Sequence, residues 1–369
     1  MLKQPLKLPM RQKMESAISV IMGLHDNIST TTRQLGFLSK CVNMRRAKVT
    51  SAETRPDREI VGNAVGATRI LGLVAYYKSN GTKELISGSG TVLKAYNGTT
   101  GLWETLGTGL SSNKQFNAIT YNDLLLITNG TDNVMKYDGT NFGVLGGSPP
   151  KSKYIASAYQ RVFLVQEPSL LRVSDIANAE QWSTGDSAAI PINDKDGDVI
   201  TWVRKYKANV VVWKGNSIHE IHGPEIGNLS SDWRVIGIAD VGTPNGRTII
   251  DVGGVLYWLS NSENAKGIVR WSGGRPVLIS EPVEGLINSI NWAYIDNACA
   301  TTDGNGNYLL SVPTGASTVP DTTLVYNTND NSWWVWKDWS PTAFAGYRLG
   351  DKEVPLMGDT DGSVYSIGE

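Results

Sequence analysis

The sequence is poor in the residues that metal and redox chemistry use. It has two cysteines, Cys41 and Cys299, and three histidines in 369 residues. Two cysteines cannot make a disulfide framework, and a chain of this length needs none to hold a core. His219 and His222 stand three apart on a predicted strand, so they point to opposite faces and cannot share a metal. Long apolar runs are also missing. The best candidate, Ala17 to Leu24, falls well short of the ~20 residues that a spanning helix needs. Basic residues precede it as in a signal peptide, but Glu15 sits at its edge and no small-residue cleavage pattern follows. Charge is sparse at 19% and apolar residues make up 40%, which excludes a disordered chain and predicts a large core.

Catalytic signatures are missing as well. There is no Gly-x-Ser-x-Gly elbow, no P-loop and no dinucleotide fingerprint. Asp194-Lys195-Asp196-Gly197-Asp198 resembles a calcium loop only at first sight. The calcium pattern places Gly sixth and Glu twelfth, whereas Gly197 is fourth and the twelfth residue is Lys205. The stretch reads as a polar hairpin loop, as do Asp303-Gly304-Asn305-Gly306 and Asp359-Thr360-Asp361-Gly362. No carboxylate pair stands out as glycosidase machinery. The chain is therefore expected to have no cofactor, no metal and no enzymatic activity.

Against these absences stand 39 Gly, 12 Trp and 14 Tyr, with only 5 Phe. Glycine supplies the positive φ of tight turns, and broad aromatics suit half-buried strands. From residue 68 onward a unit repeats. An apolar strand is followed by a very apolar one, then a strand ending in an aromatic residue and a turn, then an aromatic-marked strand. Units begin near residues 68, 115, 153, 199, 246, 294 and 342. The spacing of about 47 residues lies in the range of propeller blades. The reading is an all-β chain: a β-propeller of seven four-stranded blades, with six as the alternative, occupying residues 41–369. The last unit has room for three strands. The segment 42–61 is expected to supply the fourth by pairing with Val364 to Ile367, which would leave no open edge. Arg45, Arg46, Val364 and Tyr365 are the residues assigned to this closure. The densest aromatic stretch, Trp333, Trp334, Trp336 and Trp339, reads as packing between blades rather than a sugar platform.

Charge is unevenly placed. Residues 1–50 carry Lys3, Lys7, Arg11, Lys13, Arg33, Lys40, Arg45, Arg46 and Lys48 against Glu15 and Asp26, an excess of +7. The whole chain carries −1, so the remainder holds −8. Residues 1–40 are read as a basic arm outside the ring. Lys3, Lys7, Arg11, Lys13 and Arg33 are its candidate contacts with an acidic partner.

The opening from Gly23 to Val61 carries a resemblance. It reads G-L-H-D-N-I-S-T, then C-V-N-M-R-R-A-K-V-T, then E-T-R-P-D-R-E. This resembles the phage tail nozzle, or packaged-DNA stabilisation (tail hub), family of short-tailed phages. So do Gly358 to Tyr365 and the Leu-x-x-Tyr-Asn/Asp-Gly cadence at Leu93 to Gly98. Asp57 stands where the family has Gly after Arg-Pro. The resemblance implies a virion structural protein, made in the host cytoplasm and carried in the tail. It implies a homo-oligomeric ring, most simply a hexamer, below the portal and adaptor. Tail fibre or spike proteins and a host cell surface would be its other partners. Packaged double-stranded DNA would pass through the channel without sequence-specific contact. Family members often run past the last blade, so a missing distal domain is expected. The competing reading is a carbohydrate-binding propeller, a lectin or kelch-like module.

Overall fold

The computed structural model describes residues 21–27, 36–48, 51–223, 233–349 and 352–368. Seven four-stranded antiparallel sheets form a ring, a seven-bladed β-propeller. The innermost strands are Ile70–Tyr77, Asn117–Tyr121, Ile155–Ala158, Ile200–Tyr206, Ile250–Val252, Cys299–Thr302 and Pro341–Leu349, in blades one to seven. The predicted period located each of them within a few residues. The second strand of each blade is packed between both neighbouring blades. It therefore carries a continuous apolar run, as in Leu125–Ile127, Val162–Val165 and Val210–Trp213, all nearly or fully buried. In blade three the outermost strand is Ala188–Pro191 rather than the stretch around Trp182. Trp182 is buried in the loop before it, where its indole donates to Ala179 O at 2.8 Å.

One hydrogen bond recurs between successive blades. A tyrosine at the end of an inner strand donates to the first turn of the next blade. Tyr76 reaches Asp123 O, Tyr121 reaches Gln160 O at 2.7 Å, and Tyr206 reaches Gly254 O at 2.7 Å. Tyr159 reaches Asn209 Oδ1 at 3.2 Å, and Tyr347 of blade seven reaches Lys83 O of blade one at 3.4 Å. Burial pushes the phenols of Tyr121, Tyr159 and Tyr347 up, and that of Tyr76 to about 12, so each keeps the proton it donates. Blades five and six end their inner strands in Val252 and Thr302 and have no such tyrosine. There Asn245 donates to Ile295 O and Ala298 O, both at 2.9 Å, and Tyr308 donates to Thr248 O at 2.8 Å.

The ring closes through an upstream strand. Arg58–Ile60 pairs antiparallel with Val364–Ile367, placing Ile60 opposite Tyr365 and Arg58 opposite Ile367. Val61 N donates to Val364 O at 2.8 Å, so Val364 and Tyr365 do lie at the closure. Arg58 pairs with the buried Asp359 and lies 4.2 Å from the centre of the Tyr365 ring. Gly362, at φ +81°, lets Val65 N reach its carbonyl at 2.9 Å. A Cβ there would come within 2.2 Å of Gly66 O, so the joint requires glycine.

Arg45 and Arg46 are not in the closing strand. They lie in Met44–Lys48, which pairs with Ser51–Thr54 as a separate hairpin. Arg45 pairs with Glu53 across that hairpin, and Arg46 pairs with Asp330 of blade six. The physical reason is local. Pro56 has no N–H to donate, which separates the hairpin from the three residues that enter blade seven. Removing residues 1–61 strips blade seven of its outer strand. We expect it to lower the urea midpoint far more than removing residues 1–20. Equal loss from both truncations would contradict this closure. Tyr206→Phe should cost about 1 kcal/mol in the same measurement.

Candidate functional site

Two surfaces of the ring are built for more than closure: a belt on its rim and the mouth of its axis. The belt is formed by residues 21–27, 36–48 and 51–61. Gly23–Leu24 and Phe37–Leu38 pair in parallel against the outer strand of blade six, Ser332–Lys337. Gly23 sits at φ +94°, where a Cβ would meet Trp333 O at 2.9 Å. Asp26 accepts from Gly285 N and Leu286 N, at 3.3 and 3.1 Å, and so caps the short helix Glu284–Asn288 behind blade five. Asn43 N donates to Val335 O at 2.8 Å, and its side chain bridges Lys337 N and Asp338. The boundary expected at residue 40 thus falls inside the belt. The docked part of 1–40 lies against blades five and six.

The tryptophans expected to pack between blades are buried. Trp333, Trp334, Trp336 and Trp339 are 5% exposed or less. Trp336 donates to Met44 O at 2.9 Å, and Arg55 stacks 4.0 Å from the centre of the Trp339 ring. None of the four offers a free face to a sugar.

The axis is lined by the inner strands of the blades. Because those strands run the same way, their first residues converge at one mouth. Arg69 of blade one and Asp296 before blade six lie within electrostatic reach of Arg247 before blade five, and Asp296 also acts on Lys153 of blade three. Arg69 donates to Asn297 Oδ1 at 2.7 Å. Arg247 donates from Nη2 to Thr342 O of blade seven at 2.5 Å, while its enclosed Nη1 has no hydrogen-bond partner. Burial lowers the guanidinium pKa of Arg247, and that of Arg69. Cys299 lies beside Arg247, and burial pushes its thiol up to about 12, so it stays protonated. A pocket of about 190 Å³ opens here between Arg247, Asn117, Phe116, Trp202 and Phe344.

Lys3, Lys7, Arg11, Lys13 and Arg33 lie outside the described residues. The Asp194–Asp198 stretch is an internally bonded loop. The ammonium of the fully buried Lys214 donates to Ile192 O, Asn193 O and Asp196, which uses its three protons. Asp198 accepts from Val199 N and Asn216 N, at 2.9 and 2.7 Å. Among the described residues no three His, Cys, Asp or Glu side chains are grouped to hold a metal. His219 contacts Ser217 Oγ at 2.9 Å, and His222 faces Glu220 at 3.4 Å. No described helix is long and apolar enough to cross a membrane. The convergence of Arg69 and Arg247 was missed from sequence. Its only signal was a basic residue just before an inner strand.

No family model and no curated protein matches the chain. Solved structures do. Two crystal structures of the extracellular domain of BT4673 from B. thetaiotaomicron superpose with TM-scores of 0.58 and 0.55, at 11% and 12% identity. One is described as part of a hybrid two-component system and the other of a one-component system. The match covers 85% of this chain and 40% of theirs, so the chain spans about two fifths of their length. At this identity the likeness is one of fold.

Burial lowers the pKa of the His219 imidazole, and the neighbouring Lys214 pushes the same way. The folded protein therefore binds a proton there less readily than the unfolded chain. The stability this gives is complete above about pH 6.5 and falls as pH drops below it. Urea unfolding near pH 7 and near pH 5 should show a shallower acid loss for His219→Gln than for the parent. An unchanged loss would remove His219 as its source.

Proposed function

We propose that the chain is a non-catalytic structural subunit of a short-tailed phage tail, several copies forming a closed ring below the portal and adaptor. The observation that carries this reading is the belt. It fastens the N-terminal chain to the outer rim of blades five to seven. Lys3, Lys7, Arg11 and Lys13 stand within the twenty residues that precede it in the sequence. A head-to-tail interface between propellers closes when the rotation per copy divides a full turn. A basic segment joined in sequence to the belt can engage an acidic neighbouring component, with charge steering the encounter. The resemblance of the opening and of Gly358 to Tyr365 to nozzle proteins supports the same reading.

DNA on this reading passes through the ring of copies, not through the axis of one propeller. A pocket of about 190 Å³ cannot admit a duplex whose major groove alone is about 12 Å wide. The acidic balance of the residues after the arm suits a conduit, because a strongly basic wall would hold the phosphates and slow their passage.

Purified virions should contain the protein in a copy number matching the portal's symmetry or half of it. Replacing Lys3, Lys7, Arg11 and Lys13 by Ala should leave the melting temperature unchanged but weaken tail attachment, more so as salt is raised. Absence from virions, or attachment indifferent to the substitution, would refute the proposal.

A further inference from the structure

The chain holds five Asn-Gly pairs: Asn80-Gly81, Asn97-Gly98, Asn129-Gly130, Asn245-Gly246 and Asn305-Gly306. The backbone nitrogen after an asparagine can attack its side-chain amide, and glycine hinders that nitrogen least because it has no Cβ. In sequence the five pairs are alike. The fold separates them by what it holds. Asn80 Oδ1 accepts from Thr82 N, and Gly81 N donates to Lys78 O, both at 3.0 Å. Asn97 Oδ1 accepts from Thr99 N and Thr100 N, at 2.9 and 3.2 Å, and its Nδ2 donates to Glu104 at 2.8 Å. Asn129 is tied in the same way to Thr131 N, Asp132 N and the Asp132 carboxylate, and Gly130 N donates to Ser152 O at 2.8 Å. Asn245 is buried, with its amide on Ile295 O and Ala298 O.

Asn305 is different. It is exposed in the turn between Cys299–Thr302 and Asn307–Val312. The turn itself is braced. Gly304 N donates to Thr302 Oγ1 at 3.3 Å, and Asn305 N and Asn307 N donate to Asp303 Oδ1 at 2.9 and 3.2 Å. Asn329 Nδ2 donates to Asn305 O at 3.2 Å. Among the described residues, neither the Asn305 carboxamide nor Gly306 N has a hydrogen-bond partner. The two groups that would react are thus the two that the turn leaves free, and their adjacency in the chain makes the encounter intramolecular. Asn305 also lines a pocket of about 530 Å³ with Arg45, Asp303 and Trp336.

We propose that Asn305-Gly306 is a self-modification site, where the folded protein converts Asn305 to aspartyl and isoaspartyl residues with water as the only co-reactant. Gly306 N bonds to Asn305 Cγ, and the Cγ–Nδ2 bond breaks. The proton of Gly306 N passes through water to the departing nitrogen, which leaves as ammonia. Water then adds to one carbonyl of the cyclic imide, and the C–N bond at that carbonyl breaks. Opening at Cγ restores the ordinary backbone with an aspartate, and opening at the main-chain carbonyl leaves an isoaspartyl link. One water is consumed, one ammonia is released, and nothing is oxidised or reduced. The new carboxylate shares the pocket wall with Asp303 and Arg45, so each event adds negative charge beside the belt hairpin. This inference does not rest on the proposed tail role and is read on the isolated chain.

The full chain is incubated at mildly alkaline pH and mapped by peptide mass spectrometry, which reads the replacement of the amide NH2 by OH at each pair. Asn305 should convert at least about tenfold faster than Asn80, Asn97, Asn129 and Asn245, because those four must first release hydrogen bonds. In urea, where no turn is held, the five rates should draw together. Asn305→Gln, whose longer side chain does not close the same ring, should remove most of the early ammonia released by the folded chain. Conversion at Asn305 no faster than at the other four in the folded chain would overturn the proposal. So would an undiminished lead for Asn305 in urea, or undiminished early ammonia release by Asn305→Gln.

Discussion

The ring is held by a phenol hydroxyl that crosses from the end of one blade's inner strand to the first turn of the next. Tyr76, Tyr121, Tyr159, Tyr206 and Tyr347 make this contact in five of the seven blades. Each bond contributes only about 1 kcal/mol. Its importance is geometric, because it fixes the turn of one sheet against the inner strand of its neighbour and so sets the angle between blades. Seven sheets close without a gap only if that angle is held all the way round.

Blades five and six lack the tyrosine, and the belt covers that part of the ring. Residues 21–27 lie against the helix behind blade five and the outer strand of blade six, residues 36–48 against blade six, and Arg58–Ile60 enters blade seven. The cluster that they cover contains Trp333, Trp334, Trp336, Trp339, Tyr257 and Tyr308, joined by Leu24 and Cys41 of the belt itself. Apolar contact on the outside is added there to the Asn245 and Tyr308 ties on the inside. The two devices suit different chemistry. A phenol needs one carbonyl at a set distance, whereas an aromatic cluster needs only cover from water.

The sequence was legible where the pattern is repetitive. The 47-residue period and the apolar second strands report burial that every blade shares, and they located the inner strands. The tryptophan stretch was read correctly as packing. What was not legible depends on partners distant in the chain. Nothing in 42–61 distinguishes a hairpin pairing with itself from a strand pairing with Tyr365, and the three residues Arg58–Ile60 are too few to show a period. Arg45 and Arg46 were assigned to the closure for that reason. The tyrosines were visible at the strand ends, but their role appears only when the next blade's turn is beside them. Arg247 reads as an ordinary basic residue until convergence of the blades buries it.

The pairing of Ile60 with Tyr365 joins residues separated by most of the chain. On the ribosome, the upstream strand waits while the blades are made. At about 5–20 residues per second, that wait is roughly 15 to 60 s. Through that time Arg58–Ile60 has no partner, and the growing stack of blades has an uncovered edge. Contacts of such separation also slow folding, because the loop they close must lose its entropy first. The same strand that leaves the finished ring without an edge makes the nascent chain vulnerable to pairing with its neighbours on a polysome.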